Sequence, residues 1–284
     1  MQERLTLGPR WVQAAKAAHT RVRTAAWAVR AGAPRPGLRI LFYHRVADDP
    51  DPLATSPRRF ADQMALLAAD GYRVVDVMEA ARLLASGGPT ERVAGLSFDD
   101  GYRDVAQAAL PVLERHGFRA TVFVATGVVD GTATYSWYHR QPPVLGWSEI
   151  VALDRGSPLS FEAHTVTHPN LTAIDEAAAR REIADSKTTL EARLGRAVDV
   201  FCYPAGLYGE RERTLVAAAG FGVATTCEPG ANLPGADALT LRRTAIDRSD
   251  RLVDFRAKLA GAHDRPSPLR AAYRGVRYRR RSER

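Results

Sequence analysis

The sequence predicts an α/β fold built on a barrel of parallel strands, and three observations support this prediction. Short apolar runs rich in β-branched residues alternate with amphipathic helical patterns, as in chains whose helices connect parallel strands. About seven or eight such units follow Leu38, which matches the size of a β/α barrel. The sequence lacks the phosphate-binding patterns Gly-x-x-x-x-Gly-Lys and Gly-x-Gly-x-x-Gly, so a doubly wound nucleotide-binding fold has little support.

The individual elements follow from these runs. We predict strands over residues 38–43, 72–77, 93–98, 120–125, 159–163, 198–203, 221–224 and 239–246. We predict helices over residues 59–70, 78–85, 105–116, 175–194 and 210–219. Trp147 begins a further helical pattern, and we interpret it as part of that helix.

The composition is that of a globular protein, with 45% hydrophobic and 25% charged residues, and its excess of basic over acidic residues lies at the two ends. Residues 1–36 contain seven Lys or Arg and one Glu, and residues 264–284 contain eight Arg and two acids, in a chain of net charge +8. The residues between them therefore carry a small net negative charge. We predict a basic, helix-forming extension over 1–36, one large domain over 37–263 and a basic tail over 264–284.

The two basic ends suggest how the chain meets its surroundings. The first is rich in alanine and carries Trp11, Val22 and Trp27, which predicts an amphipathic helix that either lies on a membrane surface or packs against the domain. Basic ends are either solvated or attracted to anionic lipid. Nucleic acid is not expected as a partner, because no zinc-finger spacing or aromatic RNA-binding motif accompanies the arginines.

Two observations bear on location. No run reaches the roughly 18 apolar residues that a membrane span requires. Lys16, Arg21, Arg23 and other basic residues interrupt every candidate core of a secretory signal. We therefore predict a cytoplasmic location, with peripheral membrane contact as an open alternative.

Polar residues follow several predicted strands at the point where each strand ends. Asp99 and Asp100 end one apolar run, His164 and His168 end another, and His44 ends the first. Each has an ordinary interpretation: paired aspartates before glycine form turns or caps, His-x-x-x-His pairs occur on helix surfaces, and a lone histidine is often a core residue. The carboxyl ends of barrel strands meet on one face, however, and this convergence favours a functional site.

The chemistry of these groups favours a metal. Three of the four groups in the two pairs can bind a divalent cation, and the fourth can then accept a proton from a bound water. One carboxylate and two imidazoles with an open position suit catalytic zinc. Because Thr165 and Thr167 are β-branched and Pro169 follows the second histidine, we expect this pair in a looped or extended segment rather than a helix. The pattern predicts metal-assisted hydrolysis.

Three segments resemble the successive signature motifs of the polysaccharide deacetylases, the family-four carbohydrate esterases with a NodB-type domain. These segments are Phe98-Asp99-Asp100-Gly101, His164-Thr-Val-Thr-His168-Pro169 and Tyr203-Pro204-Ala205-Gly206. The opening Leu41-Phe42-Tyr43-His44-Arg45-Val46 is similar to the subgroup that deacetylates poly-N-acetylglucosamine. The resemblance covers about residues 38–262 and implies a distorted (β/α)7–8 barrel.

The resemblance also implies roles for single residues. Asp100, His164 and His168 would bind Zn²⁺, or another divalent ion such as Co²⁺, Ni²⁺ or Mn²⁺. Asp99 would be the general base, and the backbone N–H of Ala205 would help to hold the oxyanion.

Two features depart from the common pattern of the family. The usual late Leu-x-His motif is missing, so His44 is the candidate general acid. Cys202 stands where many members have an arginine that pairs with the base. Arg243 either supplies that charge from the last strand or is an ordinary surface arginine.

Substrate contacts are expected from two segments. Tyr203 and Pro204 belong to the third motif, and the aromatic insert with Trp137 and Tyr138 offers flat apolar rings for sugar faces; ordinary packing of a long loop is the alternative for the insert.

The predicted function is a metal-dependent hydrolase that removes N-acetyl groups from amino sugars of a polysaccharide or glycoconjugate. Two alternatives remain open from the sequence. One is a deacylase or deformylase of a lipid-linked sugar at the cytoplasmic membrane face, which the basic ends suggest. The other is a catalytically decayed glycan-binding module, which the departures at Cys202 and Ala205 suggest.

Overall fold

A computed structural model describes residues 10–29 and 35–264 of the chain. The strands are β1 (Arg39–Tyr43), β2 (Arg45–Val46), β3 (Ala54–Thr55), β4 (Arg73–Val75), β5 (Val93–Phe98), β6 (Ala120–Val124), β7 (Leu159–Ala163), β8 (Val200–Cys202), β9 (Val223–Thr225) and β10 (Arg243–Ala245). The helices are α1 (Arg10–Val29), α2 (Pro57–Ala69), α3 (Val77–Ser86), α4 (Leu110–His116), α5 (Thr126–Val129), α6 (Trp147–Gly156), α7 (Glu176–Leu194), α8 (Glu210–Ala218) and α9 (Leu252–Leu259).

Eight parallel strands form one nearly closed barrel sheet. Seven follow in the order β10-β1-β5-β6-β7-β8-β9, and β4 pairs with the first half of β5. A parallel bridge between Thr225 and Leu241 brings the two ends of this order together. The predicted distorted β/α barrel is therefore confirmed, and its carboxyl-terminal face is the place where side chains from many strands meet.

The barrel strands are apolar in nearly every position because both of their faces are covered. Leu41 of β1 and Val122 of β6 pack in the same cluster as Phe60 of α2. Their neighbours Phe42 and Phe123 lie on the other face, toward the barrel interior, and both are buried. The strand period of two thus divides the core between the helix layer and the interior.

The helices begin at residues that the sequence marks as caps. Ser56 accepts a bond from the backbone N–H of Arg59 at the start of α2, and Asp76 and Asp175 cap α3 and α7 in the same way. The predicted helix over 105–116 is interrupted, because Pro111 has no N–H to donate in the helical ladder; residues 105–109 form a π-helical turn before α4.

The sequence analysis missed four of these strands and helices, and several strands are shorter than predicted. The strands β2 and β3 contain only two residues each, too short to give a period, and α5 and α9 were not predicted. The strand over 239–246 is reduced to β10, because residues 238–240 form a tight helical turn instead. The helix predicted at Trp147 is present as α6.

Helix α1 packs against α9 on the outside of the barrel, and the Arg23 guanidinium donates to the carbonyl of Ala262 at 3.0 Å. Among the described helices, none is long and apolar enough to cross a membrane. The three predicted regions stay a prediction, and the basic tail lies outside the described residues except for Asp264.

Candidate active site

The carboxyl ends of β5 and β7 and the start of β10 bring the candidate residues together. Asp99 and Asp100 follow β5, and His164 follows β7. Arg243 is the first residue of β10, and its side chain reaches across the interior to Asp99. These four side chains are each at most 4% exposed, so their mutual electrostatic interactions act in a medium far less polar than water.

Asp100, His164 and His168 form a compact group of potential metal ligands. One ligand atom from each lies within 4.8 Å of the others. The Nε2 atoms of both histidines are 3.8 Å from Oδ1 of Asp100, which is too long for a hydrogen bond. This spacing leaves room for a cation among the three atoms.

The bonding state of this group fits a divalent cation. Both carboxylate oxygens of Asp100 are buried without a hydrogen-bond partner among the described residues. Such orphaned buried atoms are costly unless something absent from the protein atoms satisfies them. Burial, together with the neighbouring charge of Asp99, raises the pKa of Asp100 to about 7. A bound cation would offset that cost and favour the carboxylate form.

The two imidazoles are also prepared to act as ligands. Nδ1 of His164 lies 2.7 Å from the carbonyl oxygen of Cys202, which can only accept, so Nδ1 carries the proton and Nε2 is left with a lone pair. Burial and the nearby His164 lower the pKa of His168 well below its ordinary value, which keeps that ring neutral.

The backbone around the ligands is held in unusual conformations. Asp100, Thr165 and His168 have φ angles of 74°, 69° and 58°, in the left-handed region that L-residues seldom occupy. Gly101 has the same sign of φ, and a Cβ there would lie 2.7 Å from a methyl carbon of Val124. Conformations of this kind persist only where surrounding contacts enforce them, and they cluster at functional sites.

Glu182 of α7 stabilises the loop between His164 and His168 through three hydrogen bonds. Its Oε2 accepts from the backbone N–H groups of Val166 and Thr167 at 2.9 and 2.8 Å, and its Oε1 accepts from the Thr167 hydroxyl at 2.6 Å. The backbone N–H of His168 donates to the Thr165 hydroxyl oxygen at 3.0 Å. The expectation of a loop rather than a helix between the two histidines is confirmed.

Asp99 has entirely different partners, although it is the next residue. The guanidinium of Arg243 donates to both of its carboxylate oxygens, at 2.6 and 2.9 Å. Arg243 is fully buried and also donates to the Ser97 hydroxyl and the carbonyl of Thr226. Burial alone would raise the pKa of Asp99, but the guanidinium outweighs it and holds that pKa below the ordinary value. The reading of Arg243 as a surface residue is wrong.

Arg243 occupies the barrel interior with apolar neighbours. Its guanidinium carbon lies 4.4 Å from the ring centre of Phe42 and 5.4 Å from that of Phe123, which suits cation–π contact. Its Nη2 is 3.0 Å from Sγ of Cys202, the residue that replaces the motif arginine. The guanidinium that pairs with Asp99 thus comes from β10, and it fills the space that the small thiol of Cys202 leaves at β8.

A second group of potential ligands, Asp99, His164 and Cys202, does not fit a cation as well. Both oxygens of Asp99 already accept from Arg243, whose own positive charge would repel a metal at this point. Burial raises the pKa of the Cys202 thiol, and metals bind the thiolate. The group that contains Asp100 is therefore the better metal site.

His44 lies half-buried at the end of β1, next to the same charges. Burial lowers its pKa below the ordinary value, and the charge of Asp99 partly opposes this shift while those of Arg243 and His164 add to it. The ring is within electrostatic reach of the base and of one ligand histidine, as a proton donor on the opposite side of a substrate would be.

The third motif forms a sharp turn after β8. Ala205 has a φ of 54° and Gly206 a φ of 64°, and a Cβ on Gly206 would lie 2.3 Å from the backbone nitrogen of Cys227. The glycine is required because no side chain fits between the two segments. The role of the Ala205 N–H stays a prediction.

The expected substrate contacts of Tyr203 and Pro204 are not supported by their positions. The side chain of Tyr203 is fully buried, its hydroxyl donates to the carbonyl of Leu239, and its ring stacks on Tyr208. Pro204 is also buried. The motif places both residues near the site, but the turn directs their side chains into the core instead of toward a ligand.

The aromatic insert lies beside the metal ligands. Trp137 stacks on Tyr135 at 4.7 Å between ring centres and meets the edge of His168 at 5.0 Å. The Tyr135 hydroxyl donates to the carbonyl of Asp100 at 2.8 Å, and that of Tyr138 donates to Asp51. Trp137 and Tyr138 remain partly exposed, so their use as a sugar platform stays a prediction.

The sequence analysis missed Glu182, Ser97 and Tyr135 as supports of this site. Glu182 is on a helix 15 and 16 positions from its partners, and no spacing rule connects it to them. Tyr135 belongs to the aromatic insert, but the sequence analysis assigned a role only to its neighbours Trp137 and Tyr138. Ser97 directly precedes the motif, and its hydroxyl is the one clue that the sequence contained.

Comparisons with known proteins identify similar sequences and structures. A family model described as polysaccharide deacetylase matches residues 86–224. The Bacillus subtilis protein YxkH, whose name assigns it to the polysaccharide deacetylases, is 29% identical over 195 residues, 68% of this chain and 66% of that protein. The chain therefore spans about two thirds of the length of this curated relative.

Solved structures with the same fold include two of nearly equal similarity. IcaB from Ammonifex degensii is 25% identical, with a TM-score of 0.69 over 81% of this chain and 98% of that one. The Streptococcus pyogenes deacetylase PplD, solved with acetate, is 24% identical, with a TM-score of 0.70 over 80% of this chain and 99% of that one. Both similarities cover nearly the whole described barrel.

Proposed function

Because the chain belongs to the polysaccharide deacetylase family, we propose that it removes N-acetyl groups by hydrolysis from the amino sugars of a polysaccharide or glycoconjugate. The observation that supports this most directly is the pair of neighbouring aspartates with opposite surroundings. Asp99 is held as a carboxylate by Arg243, and Asp100 faces two histidines with both oxygens unpartnered. A hydrolase of this class requires a base and a metal site side by side.

Asp100, His164 and His168 would hold the metal, and zinc is our proposal for its identity because one carboxylate and two imidazoles suit it. When bound, such an ion polarises a carbonyl oxygen and lowers the pKa of water. The protein's own contribution is to keep the His168 imidazole neutral and to hold Nε2 of both histidines 3.8 Å from Oδ1 of Asp100.

Asp99 would act as the general base. Its low pKa keeps it ionised at neutral pH, and it lies next to the metal ligand in sequence, so it can accept a proton from a water at the site. Arg243 fixes the carboxylate in one orientation through two parallel bonds, which is the geometry that guanidinium groups favour. Arg243 would therefore act on catalysis through Asp99.

His44 would donate the proton that the leaving amine needs. Water oxygen forms the new bond to the acetyl carbon, the bond from that carbon to nitrogen breaks, and the amine leaves with the proton from His44. The backbone N–H of Ala205 would donate to the oxygen that becomes negative during this step. The products are acetate and a free amino sugar.

The substrate is proposed to be an N-acetylglucosamine polymer or a related glycoconjugate. The opening segment Leu41–Val46, which contains His44, supports this choice. Trp137 also supports it, because its partly exposed ring lies beside the ligand His168. Pyranose rings have flat apolar faces that pack well on such aromatic rings.

A peripheral contact with an anionic membrane through the basic ends is also part of the proposal. It rests on the charge distribution, since residues 1–36 and 264–284 carry the net positive charge of the chain. The cytoplasmic location stays a prediction from the sequence.

The test is acetate release from N-acetylglucosamine oligomers, together with metal analysis. We expect release to stop with a chelator and to return with zinc. His168→Gln should abolish release, whereas His116→Gln on α4 is the matched control and should retain it. Formate release from a formylated lipid-linked sugar, without acetate release from the oligomers, would favour the deformylase. Oligomer binding without any release would favour the decayed binding module.

A further inference from the structure

Helix α1 presents an apolar stripe that no described part of the chain covers. Trp11, Val22 and Val29 are 70%, 68% and 87% exposed, and they are the most exposed large apolar side chains of the described residues. Exposed alanines at positions 14, 18 and 25 complete the stripe, since all six positions are spaced by three or four residues along the helix. Residues with this spacing lie on one side of a helix.

The opposite side of α1 holds the helix on the barrel. Thr24 is buried, Trp27 and Ala17 are half-buried, and Arg23 donates to the carbonyl of Ala262 just after α9. The sequence analysis left two alternatives for this helix, packing on the domain or lying on a membrane. The structure has one face packed, so the stripe is free for a partner outside the described residues.

The charged residues of α1 are all basic. Helical spacing places Arg21 beside the stripe and Lys16 and Arg23 toward the packed side, and the helix contains no Asp or Glu. An apolar face with tryptophan, on a helix whose charges are all positive, is typical of helices that lie flat in a lipid headgroup layer. Tryptophan is favoured at that depth, and long basic side chains reach from there to the phosphates.

We propose that the apolar stripe of α1 lies on the surface of an anionic membrane and holds the barrel there. This deepens the membrane contact of the proposed function by assigning it to one helix face, and it does not depend on the deacetylase chemistry. The eight arginines of residues 264–284 would add attraction of the same sign.

A second copy of the chain is the main competing partner, and charge argues against it. Two stripes packed together would bring two helices that carry only positive charges side by side. Since α1 has no acidic residue, these charges would meet without counter-charges. An anionic lipid surface supplies those counter-charges along the whole helix.

The test measures binding of the full-length protein to vesicles of phosphatidylcholine with about one third phosphatidylglycerol. We expect binding that weakens as salt rises. Ala18→Glu, which puts a carboxylate in the centre of the stripe, should lower the partition coefficient about tenfold. The matched control is Ala177→Glu, an exposed alanine of α7, which makes the same charge change away from α1 and should lower it less than about twofold.

Three results would overturn the proposal. They are absence of binding to these vesicles, equal losses for the two variants, and a dimer in vesicle-free solution that Ala18→Glu dissociates. Circular dichroism checks that both variants fold. Acetate release from a soluble oligomer should be the same in both variants, so a failure of membrane binding is distinguished from a failure of the proposed chemistry.

Discussion

Asp99 and Asp100 are neighbours on one strand end, and their surroundings differ in kind. Asp99 accepts two bonds from Arg243, and its pKa lies below the ordinary value. Among the described residues Asp100 has no hydrogen-bond partner on either oxygen, and its pKa is raised to about 7. Both side chains are almost fully buried. The protein therefore neutralises one carboxylate with its own cation and leaves the other to be neutralised from outside.

This difference follows from the direction of the backbone. Asp100 adopts a left-handed conformation, which turns its side chain away from Arg243 and toward the two histidines. The strain of that conformation is modest for aspartate, roughly 1 kcal/mol. The change in backbone conformation at Asp100 thus separates the ion pair of Asp99 from the candidate metal site. The ion pair and the metal site can be tested separately.

The largest effect is expected from Asp100→Asn. The change keeps the shape of the side chain but removes the charge that a divalent ion needs, so bound zinc should be lost and acetate release should fall at least about 10³-fold. Metal content by atomic emission and the turnover rate check this. Asp62→Asn, an exposed aspartate of α2, is the control, and full activity of Asp100→Asn would contradict the ligand assignment.

The same pair should behave in the opposite way in unfolding experiments on metal-free protein. Asp99→Asn leaves Arg243 buried without its counter-charge and should lower the free energy of unfolding by about 3 kcal/mol. Asp100 has a raised pKa, so its ionisation destabilises the fold, and this cost grows as pH rises above the ordinary carboxyl range and is complete above about 7. At pH 8, Asp100→Asn should therefore leave the free energy of unfolding unchanged or higher. Equal losses in the two variants, measured by urea unfolding with chelator present, would contradict the comparison.

Arg243→Lys probes the ion pair by pH. Asp99 must be ionised to act as a base, so activity falls as pH drops through its pKa. A lysine keeps a charge but loses the two parallel bonds, so the pKa of Asp99 should rise and the acidic limb of the profile of kcat/KM should move to higher pH. The alkaline limb, assigned to His44, should move less. A loss of stability with an unmoved acidic limb would mean that Arg243 only supports the core.

The fold and the reactive groups of this site could be predicted from the sequence, whereas their supports could not. Strand periodicity located β5 and β7, and in a parallel barrel their ends must meet, so Asp100 and His164 were expected on one face. Arg243 contacts a residue 144 positions away, and its pairing stayed open because packing in the interior decides it. The burial of Tyr203 was not foreseen for a related reason, since a motif gives the place of a residue but not the direction of its side chain.

Glu182 is another support that the sequence could not predict, and its substitution is expected to have the smallest effect. Its carboxylate accepts three bonds from Val166 and Thr167, so it determines the path of the loop that presents His168. In Glu182→Gln, one terminal atom becomes a donor and cannot accept these bonds. The loop should loosen, and zinc affinity should fall about tenfold, as is typical when residues that orient metal ligands are changed.

Competition with a chelating dye measures the affinity of Glu182→Gln for zinc, and Glu176→Gln at the exposed start of the same helix is the matched control. The variant should regain most of its activity at saturating zinc, because Asp99 and Arg243 are not in contact with Glu182. An unchanged zinc affinity would mean that the left-handed conformations of Thr165 and His168 are maintained by the rest of the loop. Asp100 would then face a metal site that the barrel itself, and not α7, holds in place.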